Sequence, residues 1–129
     1  MGESSSSNAG AGGKRYDLEE RTEKFAKRVR AFVKLLPATI ANIEDIKQEV
    51  RASGSIGANY IEANEALGTK DFRMHLRICR KEAKEAGYWL RLLDTDDRMD
   101  VNKERDALVQ ESAELMRIFG AILRRLGEA

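Results

Sequence analysis

Residues 72–93 read FRMHLRICRKEAKEAGYWLRLL, and within them Phe72, Leu76, Cys79, Ala83, Ala86, Leu90 and Leu93 follow one another at steps of four and three without a miss. An average step of about 3.5 keeps apolar side chains on one edge of an α-helix, where a neighbouring helix can cover them. The stretch therefore predicts a long helix buried along one seam. A second run of the same kind lies beyond the polar turn Asp94-Thr95-Asp96-Asp97: Val101, Leu108, Ser112, Leu115, Phe119, Ile122 and Leu126, with Gly127 as its stop.

Towards the N-terminus the same reading gives two more helices. Asp17 followed by Glu20 has the spacing of a capping box, with Asp in place of Ser or Thr. Leu18, Phe25, Val29, Phe32, Val33 and Leu36 then form one stripe, ended by Pro37, the only proline. For the second helix the expected cap is Asn42, the expected apolar face is Ile43, Ile46, Val50, Ile56, Tyr60, Ile61 and Leu67, and the expected stop is Gly68. Its centre, Ala52-Ser53-Gly54-Ser55-Ile56-Gly57-Ala58, reads as a loop by propensity, since each interior glycine costs about 1 kcal/mol relative to alanine. The apolar register nevertheless runs through it, and small residues let backbones approach closely. One continuous helix is the expectation, with a break at 53–57 as the alternative. Thr69 is the expected cap of the third helix.

Short turns between helices of this length predict an antiparallel, up-down-up-down four-helix bundle, an all-α fold. Charge agrees. Segments 14–36, 38–67, 69–93 and 94–129 carry net charges of +4, −3, +4 and −3, so sequence neighbours attract. With 129 residues the chain fits one domain, expected over 14–129, preceded by a disordered tail over 1–13 (MGESSSSNAGAGG) whose composition offers little to bury. No apolar run is long enough to span a bilayer and no signal-peptide core is evident, so a soluble cytoplasmic protein without membrane attachment is expected. The lone Cys79 allows no intrachain disulfide and no cysteine zinc site, and a buried, inert thiol is its expected role.

Candidate chemistry is sparse. Ferritin-like metal bundles need Glu-x-x-His on two helices, but His75 is the only histidine and Phe72 stands three residues before it. No Ser or Cys has an evident His partner, so no catalytic site, cofactor or metal is expected, and His75 is read as an exposed or interface residue. Arg51, Ser55, Asn59 and Glu62 share one face of the second helix, while Glu82 and Glu85 lie on a side stripe of the third. Together they form a candidate polar layer in which Arg51 pairs with Glu82 or Glu85 and Ser55 and Asn59 satisfy the remaining groups. Basic residues cluster at Lys24, Lys27 and Arg28 on the first helix and at Arg73, Arg77, Arg80 and Lys84 on the third. A solvated face is the plain reading of these ridges. The sharper one is a strip that tracks nucleic-acid phosphates.

Tyr16-Asp17-Leu18-Glu19-Glu20-Arg21-Thr22 with Phe25-Ala26, the central stretch Gln48 to Ala63, and Lys70-Asp71-Phe72, Lys81-Glu82-Ala83-Lys84-Glu85 and Tyr88-Trp89-Leu90 resemble bacterial four-helix bundle proteins related to those encoded in 23S ribosomal RNA intervening sequences. The resemblance implies a four-helix bundle, commonly a homopentamer, with no known catalysis or cofactor, and a continuous second helix. That family is similar to the accessory variability proteins of diversity-generating retroelements, pentameric bundles that bind nucleic acid and a reverse transcriptase. Two functions are therefore expected in competition: a non-enzymatic, self-assembling bundle that binds structured RNA or another nucleic acid through basic faces, and a protein-protein scaffold anchored by Tyr88 and Trp89 with no nucleic-acid role.

Overall fold

The computed structural model describes the backbone of residues 11–128 and the side chains of residues 18–128. Among the described residues there are four helices, α1 (Ala11–Val33), α2 (Ile40–Asn64), α3 (Thr69–Leu92) and α4 (Met99–Arg125), and no strand. α2 packs on α3, α3 on α4, α1 on α2 and α1 on α4, so the four close into a bundle around one core. Among the described residues no helix is long and apolar enough to cross a membrane.

The seam of α3 is buried as its spacing predicts: Leu76, Cys79, Ala83, Ala86 and Leu90 are wholly inaccessible, Leu93 almost so, and Phe72 is partly covered. α4 contributes Val101, Leu108, Ser112, Leu115 and Phe119, together with Leu123, while Ile122 and Leu126 lie at the margin. On α1 the buried set is Leu18, Thr22, Phe25, Val29 and Phe32. Thr22 completes the four-three alternation because its hydroxyl donates to the carbonyls of Leu18 and Glu19, at 2.8 and 3.1 Å, and so costs little in the core. Each fully buried large apolar side chain contributes about 1.5 to 3 kcal/mol.

α2 departs most from expectation. Ile43 and Ile61 are about half exposed and Leu67 is fully exposed, whereas Asn42, Glu49, Ala52, Ser53, Ile56, Tyr60 and Ala63 are buried. Of the expected face, Ile56 and Tyr60 are buried and Ile46 packs against the core, while Ile43 and Ile61 turn outward. Part of the reason is steric: α1 approaches α2 closely, and at Gly57 no larger side chain fits. A Cβ on Gly57 would lie 2.9 Å from the Thr22 hydroxyl oxygen and 3.3 Å from Thr22 Cβ, so this glycine sets the α1–α2 spacing. The helix is continuous through 53–57. Gly57→Val should therefore lower stability by about 2 kcal/mol, the order expected of overpacking, although valine is a better helix former than glycine. Urea unfolding checks this, and an unchanged midpoint would mean that the α1–α2 contact is loose.

Several helix ends also differ from expectation. α1 runs from Ala11, so Asp17 stands inside the helix and not at its start. Of the expected tail only Ala11–Gly13 are described, and they are helical; residues 1–10 lie outside the described residues. Thr39, not Asn42, caps α2: it is extended, and its hydroxyl accepts from the Asn42 N–H at 3.1 Å. Asn42 is one turn inside, with its amide committed elsewhere. α2 stops at Asn64, four residues before Gly68, which is instead the extended residue before α3; Thr69 is the first helical residue there, not its cap.

Asn42 joins the two loops at one end of the bundle. Its Nδ2 donates to the carbonyls of Pro37 and Asp94, and its Oδ1 accepts from the Asp94 N–H, all at 2.9 Å. Beside it Arg98 donates to the Leu35 carbonyl, and Thr95 is buried against Asn102. Cross-helix ion pairs join α1 to α4: Arg21 donates to Glu111 at 2.7 and 2.9 Å and to Glu114 at 2.9 Å, and Arg28 reaches Glu104 at 3.2 Å.

Candidate nucleic-acid interface

A basic side chain is available to phosphate only if no carboxylate already holds it, and the structure divides the candidate cations on that ground. Gly127, at φ +91°, turns the chain after α4: its N–H donates to the Arg124 carbonyl and the Glu128 N–H to the Leu123 carbonyl, each at 3.0 Å. The turn brings Glu128 against α3. Arg77 donates to both of its carboxylate oxygens at 2.9 and 2.8 Å, and Arg73 lies 3.9 Å away. Two of the four cations of the α3 ridge thus share one carboxylate.

The other half is free. Arg80 and Lys84 line a depression of about 690 Å³ together with Lys81, Glu85, Tyr88, Arg91 and, from α4, Met116. Among the described residues no hydrogen bond or ion pair reaches Arg80, Lys81, Lys84 or Arg91. The one acid in the lining, Glu85, lies 3.6 Å from Arg51, which draws its charge towards α2. Positions 80, 84, 88 and 91 follow at four, four and three, so helical spacing extends the ridge to Tyr88 and Arg91. Arg91 was not among the expected cations, yet that spacing was the available signal.

The α1 candidates are mostly committed. Lys27 pairs with Glu23 at 2.9 Å on its own helix and Arg28 with Glu104, while Lys24 borders a depression whose lining includes Glu20 and Glu111 as well as Arg21 and Arg28. Glu111 and then Glu114 hold the Arg21 guanidinium more firmly charged than usual. Among the described residues this face alternates in sign.

The candidate polar layer forms only in part. Arg51 lies 3.6 Å from Glu82 and 3.6 Å from Glu85, but its side chain is 53% exposed, so the pairs contribute at most about 1 kcal/mol each. Asn59 does not join them: it donates to the Ser55 carbonyl at 2.9 Å and meets His75 Nδ1 at 3.1 Å. His75 is thus held between Asn59 and Asp71 with its side chain 17% exposed, so of the two expected readings, exposed or interface residue, the exposed one does not hold. Glu62 faces outward. The network is broken because Arg51 emerges at the bundle surface, where water can reach it.

The Cys79 thiol donates to the Ile56 carbonyl at 3.4 Å, and burial pushes it up to about 12, so it is unionised at neutral pH. Glu49 is wholly buried with neither carboxylate oxygen bonded, and burial pushes it up to about 9. Among the described residues no group of three His, Cys, Asp or Glu side chains is placed to hold a metal ion.

A family model described as 23S rRNA-intervening sequence protein matches residues 14–121. Among solved structures, the chain is similar to a Bacteroides thetaiotaomicron protein of the S23 ribosomal protein family, itself of unknown function. The two share 28% identity and superpose with a TM-score of 0.71, over 86% of this chain and 98% of that one. No curated protein matches.

Proposed function

The chain belongs to the 23S rRNA-intervening sequence protein family, and we propose that it is a non-enzymatic cytoplasmic protein that binds structured RNA through the exposed face of α3. The observation that carries this reading is the group Arg80, Lys81, Lys84 and Arg91, four cations on one helix without an acidic partner among the described residues. In a chain of net charge +1 such a concentration does not arise from general basicity. Like charges on neighbouring turns repel, a cost that a phosphate backbone would relieve.

Salt-titrated RNA binding tests it. Affinity should fall steeply with salt, and Arg80→Glu with Lys84→Glu should weaken binding at least about tenfold and flatten the salt slope by about 1 to 2. Lys27→Glu should leave affinity nearly unchanged, because Lys27 is already paired. Salt-independent binding, or equal loss from all three substitutions, would reject the α3 site. A protein scaffold would then be favoured, with the half-exposed Tyr88 and Leu92 as its contacts.

We further propose up-down-up-down, antiparallel helices assembling as a homo-oligomer, a pentamer by family resemblance. Supporting the first, partners on α3 fall in number as those on α2 rise: Arg51 with Glu82 and Glu85, Ile56 with Cys79, Asn59 with His75. Supporting the second, Leu35, Ile40, Ile43, Leu92 and Met99 are exposed around the two loops that Asn42 joins. Light scattering should give a multiple of the 14.5 kDa chain mass, reduced by Ile40→Lys with Met99→Lys; a monomer at micromolar concentration contradicts the assembly.

A further inference from the structure

We propose that the depression between α3 and α4 is a single-stranded RNA subsite, in which an unpaired base stacks on Tyr88 while Arg80, Lys81, Lys84 and Arg91 hold the flanking phosphates. The inference rests on the RNA reading above and narrows it from a charged face to a nucleotide-sized site.

Four features meet there. The volume, about 690 Å³, falls in the range of roughly 300 to 1,000 Å³ typical of small-ligand sites. Tyr88 is 48% exposed, so a partner can reach its ring. Its ring is braced by Trp89, edge to face, with centroids 5.0 Å apart and planes at 70°. Trp89 in turn packs on the core, so Tyr88 has little freedom to lose when a base stacks on it.

The cations bracket the aromatic. Lys84 lies one turn before Tyr88 and Arg91 about one turn after it, so phosphates on both sides of a stacked base find a positive charge. Met116, reaching across from α4, gives the depression an apolar element suited to a base and unsuited to a phosphate. A-form duplex does not fit this arrangement, because its bases are stacked on one another and its major groove is too deep and narrow for side chains to read. Unpaired nucleotides in a loop, bulge or end present both the base face and the backbone, the combination that a cationic groove with an aromatic platform selects.

Trp89 is the only tryptophan and touches Tyr88, so its emission reports this site directly. The test titrates the full chain with an unstructured RNA oligonucleotide and with the same strand annealed to its complement, following Trp89 fluorescence and anisotropy. The single strand should bind more tightly than the duplex and change Trp89 emission. Tyr88→Ala should raise its Kd roughly five- to 150-fold without shifting the melting temperature, and Tyr88→Phe should retain wild-type affinity. If the duplex binds as well as the single strand, or Tyr88→Ala leaves Kd unchanged while the Arg80 and Lys84 reversals still weaken binding, the stacking site is overturned and the RNA reading survives. If neither RNA shows salt-dependent binding, both are overturned.

Discussion

Glu49→Met should raise the thermal midpoint by about 10 °C at pH 7, and its advantage over the wild type should grow with pH. Glu49 lies in the core of α2 with no exposed surface and no hydrogen-bond partner for either oxygen. Burial moves its carboxyl from about 4.5 to about 9, so it enters the fold protonated at neutral pH. Between those values the folded chain holds a proton that the unfolded chain has released. Each pH unit upward therefore removes about 1.4 kcal/mol of stability, and roughly 3 kcal/mol has gone by pH 7. Methionine matches the length and removes both the proton linkage and the unbonded oxygens, and about 3 kcal/mol corresponds to a midpoint shift near 10 °C for a domain of this size. Melts of both proteins from pH 4.5 to 9 check the claim. A pH-independent difference, or a less stable variant, would mean that the carboxylate has a partner in the assembled protein.

Asn42→Ala should act in the opposite direction, lowering stability by about 3 kcal/mol. Three hydrogen bonds disappear, each contributing about 1 kcal/mol, and the Pro37 and Asp94 groups they served lose their partner. Asn42→Asp is the sharper control: it preserves shape, but an ionised carboxylate cannot donate to the two carbonyls and would face them with like partial charge. It should cost at least as much as alanine at pH 7. Urea unfolding gives the totals, and hydrogen exchange at the Asp94 amide reports the loop contact itself, which should open locally in both variants. Unchanged exchange at Asp94 would show that the two loops stay together without Asn42.

The arginine ridge shows how far a sequence pattern reaches and where it stops. Arg73, Arg77, Arg80 and Lys84 are equivalent by spacing, yet the first two are occupied by Glu128, a residue 51 positions away from Arg77. Only the turn at Gly127 makes that pairing. Lys84 and Arg80, by contrast, share their depression with Arg91 and Tyr88, both of which follow from helical steps along the same helix. The Arg51 pairing with Glu82 and Glu85 was likewise foreseeable from two facing stripes, but the exposure of Arg51 was not, because it depends on the angle at which α2 meets its neighbours.

Helix number, helix lengths and the cores of α1, α3 and α4 were legible because their seams are written in bulky apolar residues at steps of three and four, a local signal. α2 has a seam as regular, with Asn42, Glu49, Ile56 and Ala63 each seven residues apart, but three of these four are polar or small and look like the wrong face. Periodicity records which residues share an edge; it does not record which edge is buried when neighbouring backbones come close enough to exclude Ile43 and Ile61 in favour of Ala52 and Ser53. That choice, like the pairing of Glu128 and the hydrogen bonds of Asn42, belongs to distances between segments remote in sequence, and tertiary packing alone sets those distances.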